Sequence, residues 1–377
     1  RSTTWSNSSE REAVSAGRRP EREAVKKLGK LSTVGLIVLL TVIMLAALAY
    51  STFTGAVAVP FDEVVRILLN KTVGYGDISD IRPATVAIVW QLYAPRGLLG
   101  LIAGASLALV GVVMQAMVQN PLADPYILGI SSGASLGATF AILMGATVLA
   151  GTVFSSWGIE IFAFVGAIAA SAAVFALSSV GGKMTSTKLV LSGVIFASLA
   201  GAFSNLIVYL APSASGIRDL TFWTMGSLST TGFDTVILCG TVLLVCLLFF
   251  ATQLRNLNAM MLGDDTATTL GINLATLRKV YMALTALLVA VLVAKCGVIG
   301  SVGLIIPHLA RALVGTNHWK LMPVSVLLGA IFMIVADMAA RSFTASEVPI
   351  GIITALCGAP VFAYIMIKRS YGFGADH

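Results

Sequence analysis

Long apolar runs separated by short polar breaks are the dominant pattern of this chain. Several runs approach the roughly 20 residues that an α-helix needs to cross a bilayer. The short segments of alternating polarity that are typical of a transmembrane β-barrel are not evident. The pattern therefore predicts an all-α, polytopic membrane protein of about ten transmembrane helices, at 31–52, 96–117, 125–146, 158–180, 189–210, 232–252, 279–296, 298–315, 322–342 and 348–367.

The composition supports the membrane class. Hydrophobic residues make up 57% of the chain and charged residues only 11%, with a mean hydropathy of +0.93. Soluble domains carry about 25% charged residues. The four cysteines fall within or at the ends of apolar runs and lack the close spacing of a metal site, so we expect buried small hydrophobes and neither a metal centre nor a disulfide framework.

The basic residues indicate the topology. With ten spans, the side that holds both termini carries 17 of the 24 Lys and Arg residues. The positive-inside rule then places both termini in the cytoplasm of a multi-pass protein of the inner or plasma membrane. The charges lie in separate loops and build no basic face, so the net charge of +7 does not indicate nucleic-acid binding.

The two ends of the chain differ from its middle. Residues 1–30 are polar, rich in Ser, Arg and Glu, and lack the apolar core of a signal peptide. We expect them to form a disordered cytoplasmic tail. A transmembrane domain over 31–370 and a short C-terminal tail over 371–377 complete the predicted organisation.

A polar break at 120–125 interrupts the apolar pattern after the second run. Asp124 is a good N-cap, and Pro125 suits the first helical position. Downstream, glycines recur every four residues and would share one helix face. This face predicts close packing against another helix, as small residues allow in membranes. The glycines are Gly129, Gly133 and Gly137.

Several longer motifs, in this order, closely resemble the permease family of ABC importers for iron chelates and vitamin B12. The resemblance extends over roughly 31–370. It rests on Pro95-Arg96, on the run from Asn120 to Ala134, on Leu262-Gly-Asp-Asp265 with Leu270-Gly271, on Gly303 to Arg311, on Glu347 to Gly351 and on Gly358-Ala-Pro360.

The resemblance implies a type II ABC importer permease fold and a set of partners. These are two copies of a separate ATPase subunit, a second permease subunit that we expect to be an identical copy, and an extracytoplasmic substrate-binding protein. The cargo would enter the cytoplasm by alternating access. The family's range ranks ferric siderophore or haem first and cobalamin as the alternative.

The chain itself shows no motif for catalysis. The phosphate loop GxxxxGK[ST] is absent, as are HExxH and GxSxG. Three histidines are too sparse for a metal cluster. We therefore expect no enzyme activity and no bound cofactor in this chain, with ATP and Mg²⁺ held by the partner ATPase.

A long polar connection over 253–279 separates the sixth and seventh runs. Two aspartates after a glycine favour a helix start, and a later glycine favours its end. Connections of this length are usually functional or disordered. In the resemblance this segment is the helix that couples to the ATPase, while an ordinary surface helix is the alternative. The predicted coupling residues are Leu262, Gly263, Asp264, Asp265, Leu270 and Gly271.

Arg96 and Arg341 lie at the predicted outer ends of two runs. The resemblance implies that they dock the binding protein through its acidic residues. Tyr93 stands where the family often has a further arginine, which weakens this expectation. Arg341 can instead pair with Asp337, one helical turn earlier. Glu347 is expected to cap a helix.

Two further polar residues are candidates for the translocation path. Gln115, near the predicted inner end of its run, is expected at an inner gate. Lys295 stands where the family has a small or apolar residue; it can extend to the interface or attract an anionic cargo.

An ion-coupled secondary carrier is the rival class. Such carriers need ionisable groups at mid-membrane. The candidates Asp234, Asp337 and Lys295 lie toward the ends of runs, which argues against this class.

Overall fold

The computed structural model describes residues 32–368 apart from 56, 58, 146–157, 182–184, 212–213, 230–231 and 343–346. The two predicted tails, at 1–30 and 371–377, lie outside these residues. The described part is helical, without strands. Its helices are α1 Thr33–Ser51, α2 Phe61–Val73, α3 Pro83–Ala87, α4 Ala94–Val118, α5 Ile130–Leu143, α6 Ile159–Ser179, α7 Ser186–Leu210, α8 Ala214–Thr224, α9 Phe233–Thr252, α10 Leu254–Met260, α11 Asp264–Thr269, α12 Leu274–Cys296, α13 Val302–Val314, α14 His318–Ser342 and α15 Ile350–Lys368.

The predicted all-α fold is confirmed, and each of the ten predicted apolar runs contains a helix. In the described residues, seven helices are long and apolar enough to cross a membrane. Three shorter apolar helices, α5, α13 and the described part of α15, correspond to the remaining predicted runs. The helix through α4 is 89% buried over its apolar window, against 11% for α1. The bundle is therefore built around α4, and α1 lies at its edge.

The central helix begins earlier than its apolar pattern predicts. It runs without interruption over Pro83–Val118, through α3, a π-helical turn at Ile88–Tyr93 and α4. In the π turn, the Ala94 amide donates to the Val89 carbonyl, five residues back. Pro95 cannot continue a regular hydrogen-bond ladder, and the preceding wide turn accommodates it. At 1.5 Å per residue the helix is about 54 Å long, well beyond the hydrocarbon core.

Glycines set the distance between the central helix and its neighbours. A Cβ atom on Gly104 would overlap the Gly329 carbonyl of α14, and one on Gly111 would overlap the Gly303 carbonyl of α13. These backbones are in direct contact, the arrangement that small residues permit in membrane bundles.

The glycines after the polar break behave in two ways. Gly133 and Gly137 pack against the backbone of α6 at Gly166 and Phe162, which confirms the predicted close contact. Gly129 also lies close to α6, where a Cβ atom would meet the Val174 side chain at 3.3 Å, but it precedes α5 and does not share the helix face of the other two glycines. It adopts φ +70° and caps the start of α5. Its conformation separates α5 from the short 3-10 helix Pro125–Leu128, where Asp124 caps the Tyr126 amide.

Candidate functional site

The polar connection between α9 and α12 contains two short helices, α10 and α11. Gly263, at φ +101°, precedes α11, whose first turn holds Asp264 and Asp265. Gly271, at φ +82°, follows its last turn. These left-handed positions favour glycine and confirm the predicted start and end of the helix.

Asp264 is bound on two sides inside the protein. Its carboxylate accepts both branches of the Arg278 guanidinium, at 2.8 and 2.7 Å. It also accepts the Gln119 side-chain amide at 2.6 Å. The Arg278 side chain is only 6% exposed and the Asp264 side chain 43% exposed, so this fork–fork pair is buried on the arginine side and reached by water on the aspartate side.

Gln119 joins the connection over 253–279 to the central helix. It is the residue after α4 and has φ +56°, an uncommon conformation for a residue with a side chain. Its amide donates to the Met260 carbonyl at 3.0 Å as well as to Asp264. Arg278 adds a contact to the Met117 carbonyl at 3.4 Å. The C-terminal end of α4 is thus coupled to α11 through three polar side chains, which we call the coupling network: Gln119, Asp264 and Arg278.

The other side of α11 faces outward. Leu262 is 64% exposed and Leu270 is 62% exposed, and Asp265 is exposed between them. Ala267 is fully buried and holds the helix against the bundle. Apolar side chains this exposed beyond the ends of the spans are suited to a protein contact.

A second polar cluster lies at the opposite end of the bundle, the end predicted to face outward, and we call it the outer charge cluster: Arg96, Asp337, Arg341 and Glu347. Arg96 contacts Asp337 at 2.9 Å and Glu347 at 2.7 Å. Arg341 contacts the same aspartate at 3.0 Å, so the predicted pair within α14 is present. Arg341 also donates to the Thr54 carbonyl at 2.6 Å, which ties in the segment after α1.

This geometry changes the interpretation of the two arginines. Arg96 is 7% exposed and Arg341 is 6% exposed, and the charge of each is paired with a carboxylate of the same subunit. Tyr93 packs its ring 5.7 Å from the Arg341 guanidinium. Of the charged groups in the cluster, the Glu347 side chain, 45% exposed, is the accessible one, and it serves as an ion-pair partner of Arg96.

Lys295 lies beside an open cavity, whereas Gln115 is buried between helices. Lys295 forms an ion pair with Glu160 and lines an open cavity of about 300 Å³, together with Trp223, Ser227 and Glu347. Gln115 is 1% exposed and donates to the Leu304 carbonyl of α13 at 3.3 Å. It lies at a contact between helices in this conformation.

Sequence reasoning missed Gln119 and Arg278. Their partner Asp264 is 145 and 14 residues away, respectively, so no local spacing connects them. The one available signal is a basic residue at the start of an otherwise apolar run. In the described residues, no group of three His, Cys, Asp or Glu side chains is arranged to hold a metal ion.

These features define a polytopic helical membrane protein with a capped surface helix at one end and a buried charge cluster at the other. The profile of the FecCD transport family matches residues 40–368, and the chain belongs to this family. It is a permease subunit of an ABC importer, and permeases of this kind are transport subunits, not enzymes.

Similar proteins are named for chemically different cargoes. The molybdate import permease MolB of Haemophilus influenzae is 34% identical, over 88% of this chain and 95% of its own length. The cobalamin import permease BtuC of Halobacterium salinarum is 38% identical, over 75% and 74%. The hemin transport permease HmuU of Yersinia pestis is 34% identical, over 74% and 84%.

A solved structure has the same fold. An ABC transporter of the metal-chelate type, in an inward-facing conformation, superposes with a TM-score of 0.74 and 32% sequence identity. The match covers 90% of this chain and all of that chain.

Proposed function

We propose that this permease subunit imports an iron chelate, haem or a ferric siderophore, and that a separate ATPase drives it through the loop at 253–279. The observation that carries the ATPase-driven part of the proposal is that α11 has two different sides, while the cargo class follows the range of the family. One side presents Leu262, Asp265 and Leu270 to the exterior, and the other side is bonded to the central helix.

The coupling network suggests how force reaches the translocation path. When two ATPase subunits close on ATP, α11 moves with the surface that it contacts. Asp264 transmits this displacement to Arg278 of α12 and to Gln119 at the end of α4. Because α4 packs backbone to backbone on α13 and α14, a shift of its inner end re-tilts these helices together.

The topology follows from this assignment. The ATPase side is the cytoplasm, so both termini and the coupling loop lie there, in agreement with the excess of basic residues. A second copy of the chain would complete the path, and the binding protein would deliver cargo at the opposite face.

Exposed arginines do not explain how the binding protein would dock. Since Arg96 and Arg341 are buried, they shape the outer surface from within. Glu347 is the accessible charge beside them. Lys295 lines the neighbouring cavity and is a candidate contact for an anionic chelate there.

The identity of the cargo is tested by co-expressing the chain with its ATPase, reconstituting the complex into liposomes with the binding protein, and measuring ATP hydrolysis. The binding protein is preloaded with haem, ferric hydroxamate, ferric catecholate, cobalamin or molybdate. We expect haem or one ferric chelate to stimulate ATP hydrolysis most. Selective stimulation by cobalamin or molybdate would reassign the cargo and leave the importer class intact.

A further inference from the structure

An apolar groove runs between α6 and α12, and the function proposed above does not use it. Its volume is about 340 Å³. The walls are formed by Ile168, Phe175 and Met282, with alanines between them. Ser171 and Lys279 are its polar members in the described structure.

Lys279 is placed at one end of this groove. Its ammonium lies 6.0 Å from the centre of the Phe175 ring, within reach of a cation–π contact. Lys279 follows the start of α12 by five residues, and Phe175 precedes the end of α6 by four. Both therefore lie about 6–8 Å inside the end of the bundle that carries the coupling loop.

The charge of Lys279 has no acidic partner in the part of the chain that the structure describes. Among the described residues, no carboxylate lies within 4.0 Å of its ammonium. From Lys279 the groove continues to Ala286, seven residues or about 10 Å along α12. A cation at the end of an apolar groove, near the predicted surface of a bilayer, matches a phosphate attached to an acyl chain.

We propose that this groove binds an anionic phospholipid, with its phosphate on Lys279 and one acyl chain against Phe175 and Met282. Charge complementarity favours this occupant over a second copy of the chain. The same end of the bundle carries an excess of Lys and Arg, so another copy would bring like charge to Lys279.

The test is native mass spectrometry of the full-length chain, purified in detergent with phosphatidylglycerol and phosphatidylcholine. Wild type should retain phosphatidylglycerol in preference to phosphatidylcholine. Lys279→Ala should lower that retention about fivefold, the factor expected for one basic residue at a membrane surface. The matched control is Lys320→Ala, an exposed lysine on α14 outside the groove, which should match wild type.

Two further variants separate the alternatives. Ala283→Trp fills the groove without changing charge and should also lower phosphatidylglycerol retention. Ala283→Cys in a Cys357→Ser background reports a second copy at this position through an intersubunit disulfide. Such a disulfide, equal retention of both lipids by wild type, or unchanged retention in Lys279→Ala would each overturn the proposal.

Discussion

The Asp264 carboxylate lies 2.7–2.8 Å from the two terminal guanidinium nitrogens of Arg278, and this pair connects the surface helix α11 to the membrane helix α12. Arg278 is largely buried, while the Asp264 side chain is 43% exposed. The Asp264 end of the pair is thus accessible from the side that α11 presents to a partner, and the Arg278 end is held in place inside the bundle. This asymmetry is what a mechanical connection between two proteins requires.

The first prediction compares two neighbouring aspartates. Asp264→Asn weakens a charge-assisted pair worth about 1.5–3 kcal/mol, so we expect ATP-driven uptake to fall about tenfold while ATP hydrolysis continues. Asp265→Asn makes the same chemical change on an exposed residue outside the network and should reduce uptake less. The measurement is the number of cargo molecules transported per ATP. Equal ratios for the two variants would argue against the coupling network.

The second prediction concerns the pairing itself. Asp264→Lys places a cation against the buried Arg278 guanidinium and should abolish coupled uptake. Adding Arg278→Asp restores opposite charges and should recover part of it, as a double-mutant cycle would show. If the double variant is no better than either single variant, the two residues do not act as a pair.

The third prediction tests the outer charge cluster. Arg96→Met leaves Asp337, 1% exposed, with Arg341 as its one remaining cation among the described residues. Removing one partner of a buried pair costs about 3–5 kcal/mol, so the thermal unfolding midpoint in detergent should fall by several degrees. Arg218→Met, on the exposed face of α8, is the control and should change it little. If Arg96→Met keeps its unfolding midpoint but binds the binding protein more weakly, Arg96 acts in docking instead.

The fourth prediction tests the packing of the central helix. Gly104→Ala pushes a methyl group into the Gly329 carbonyl and should destabilise the protein by about 1–3 kcal/mol. Gly201→Ala, in α7, meets no atom within 4 Å and should be neutral or slightly stabilising. Thermal unfolding of both variants decides the point. Equal midpoints would show that α4 and α14 can separate at no cost.

The sequence predicts the bundle well because apolar length is a direct requirement of the bilayer. It also predicts α11, since the glycines and aspartates at its ends act locally. It does not predict the burial of Arg96 and Arg341, because both lie near the ends of apolar runs, where charges usually reach water. The pair of Arg341 with Asp337 is local and predictable, but Asp337 is 241 residues from Arg96, and only the folded chain brings these two together.

Gly129 shows the limit of a periodic pattern. Spacing alone places it on one stripe with Gly133 and Gly137, yet its positive φ ends one helical segment and begins another. Periodicity identifies residues that can share a face, whereas the backbone conformation of Gly129 decides where α5 starts.

Cargo uptake into sealed liposomes tests the central claim most directly, with this chain, its ATPase and the loaded binding protein reconstituted together. The account predicts uptake that requires ATP on the ATPase side and is lost with Asp264→Lys. Uptake driven by a pH gradient without the ATPase would contradict it and would identify an ion-coupled carrier.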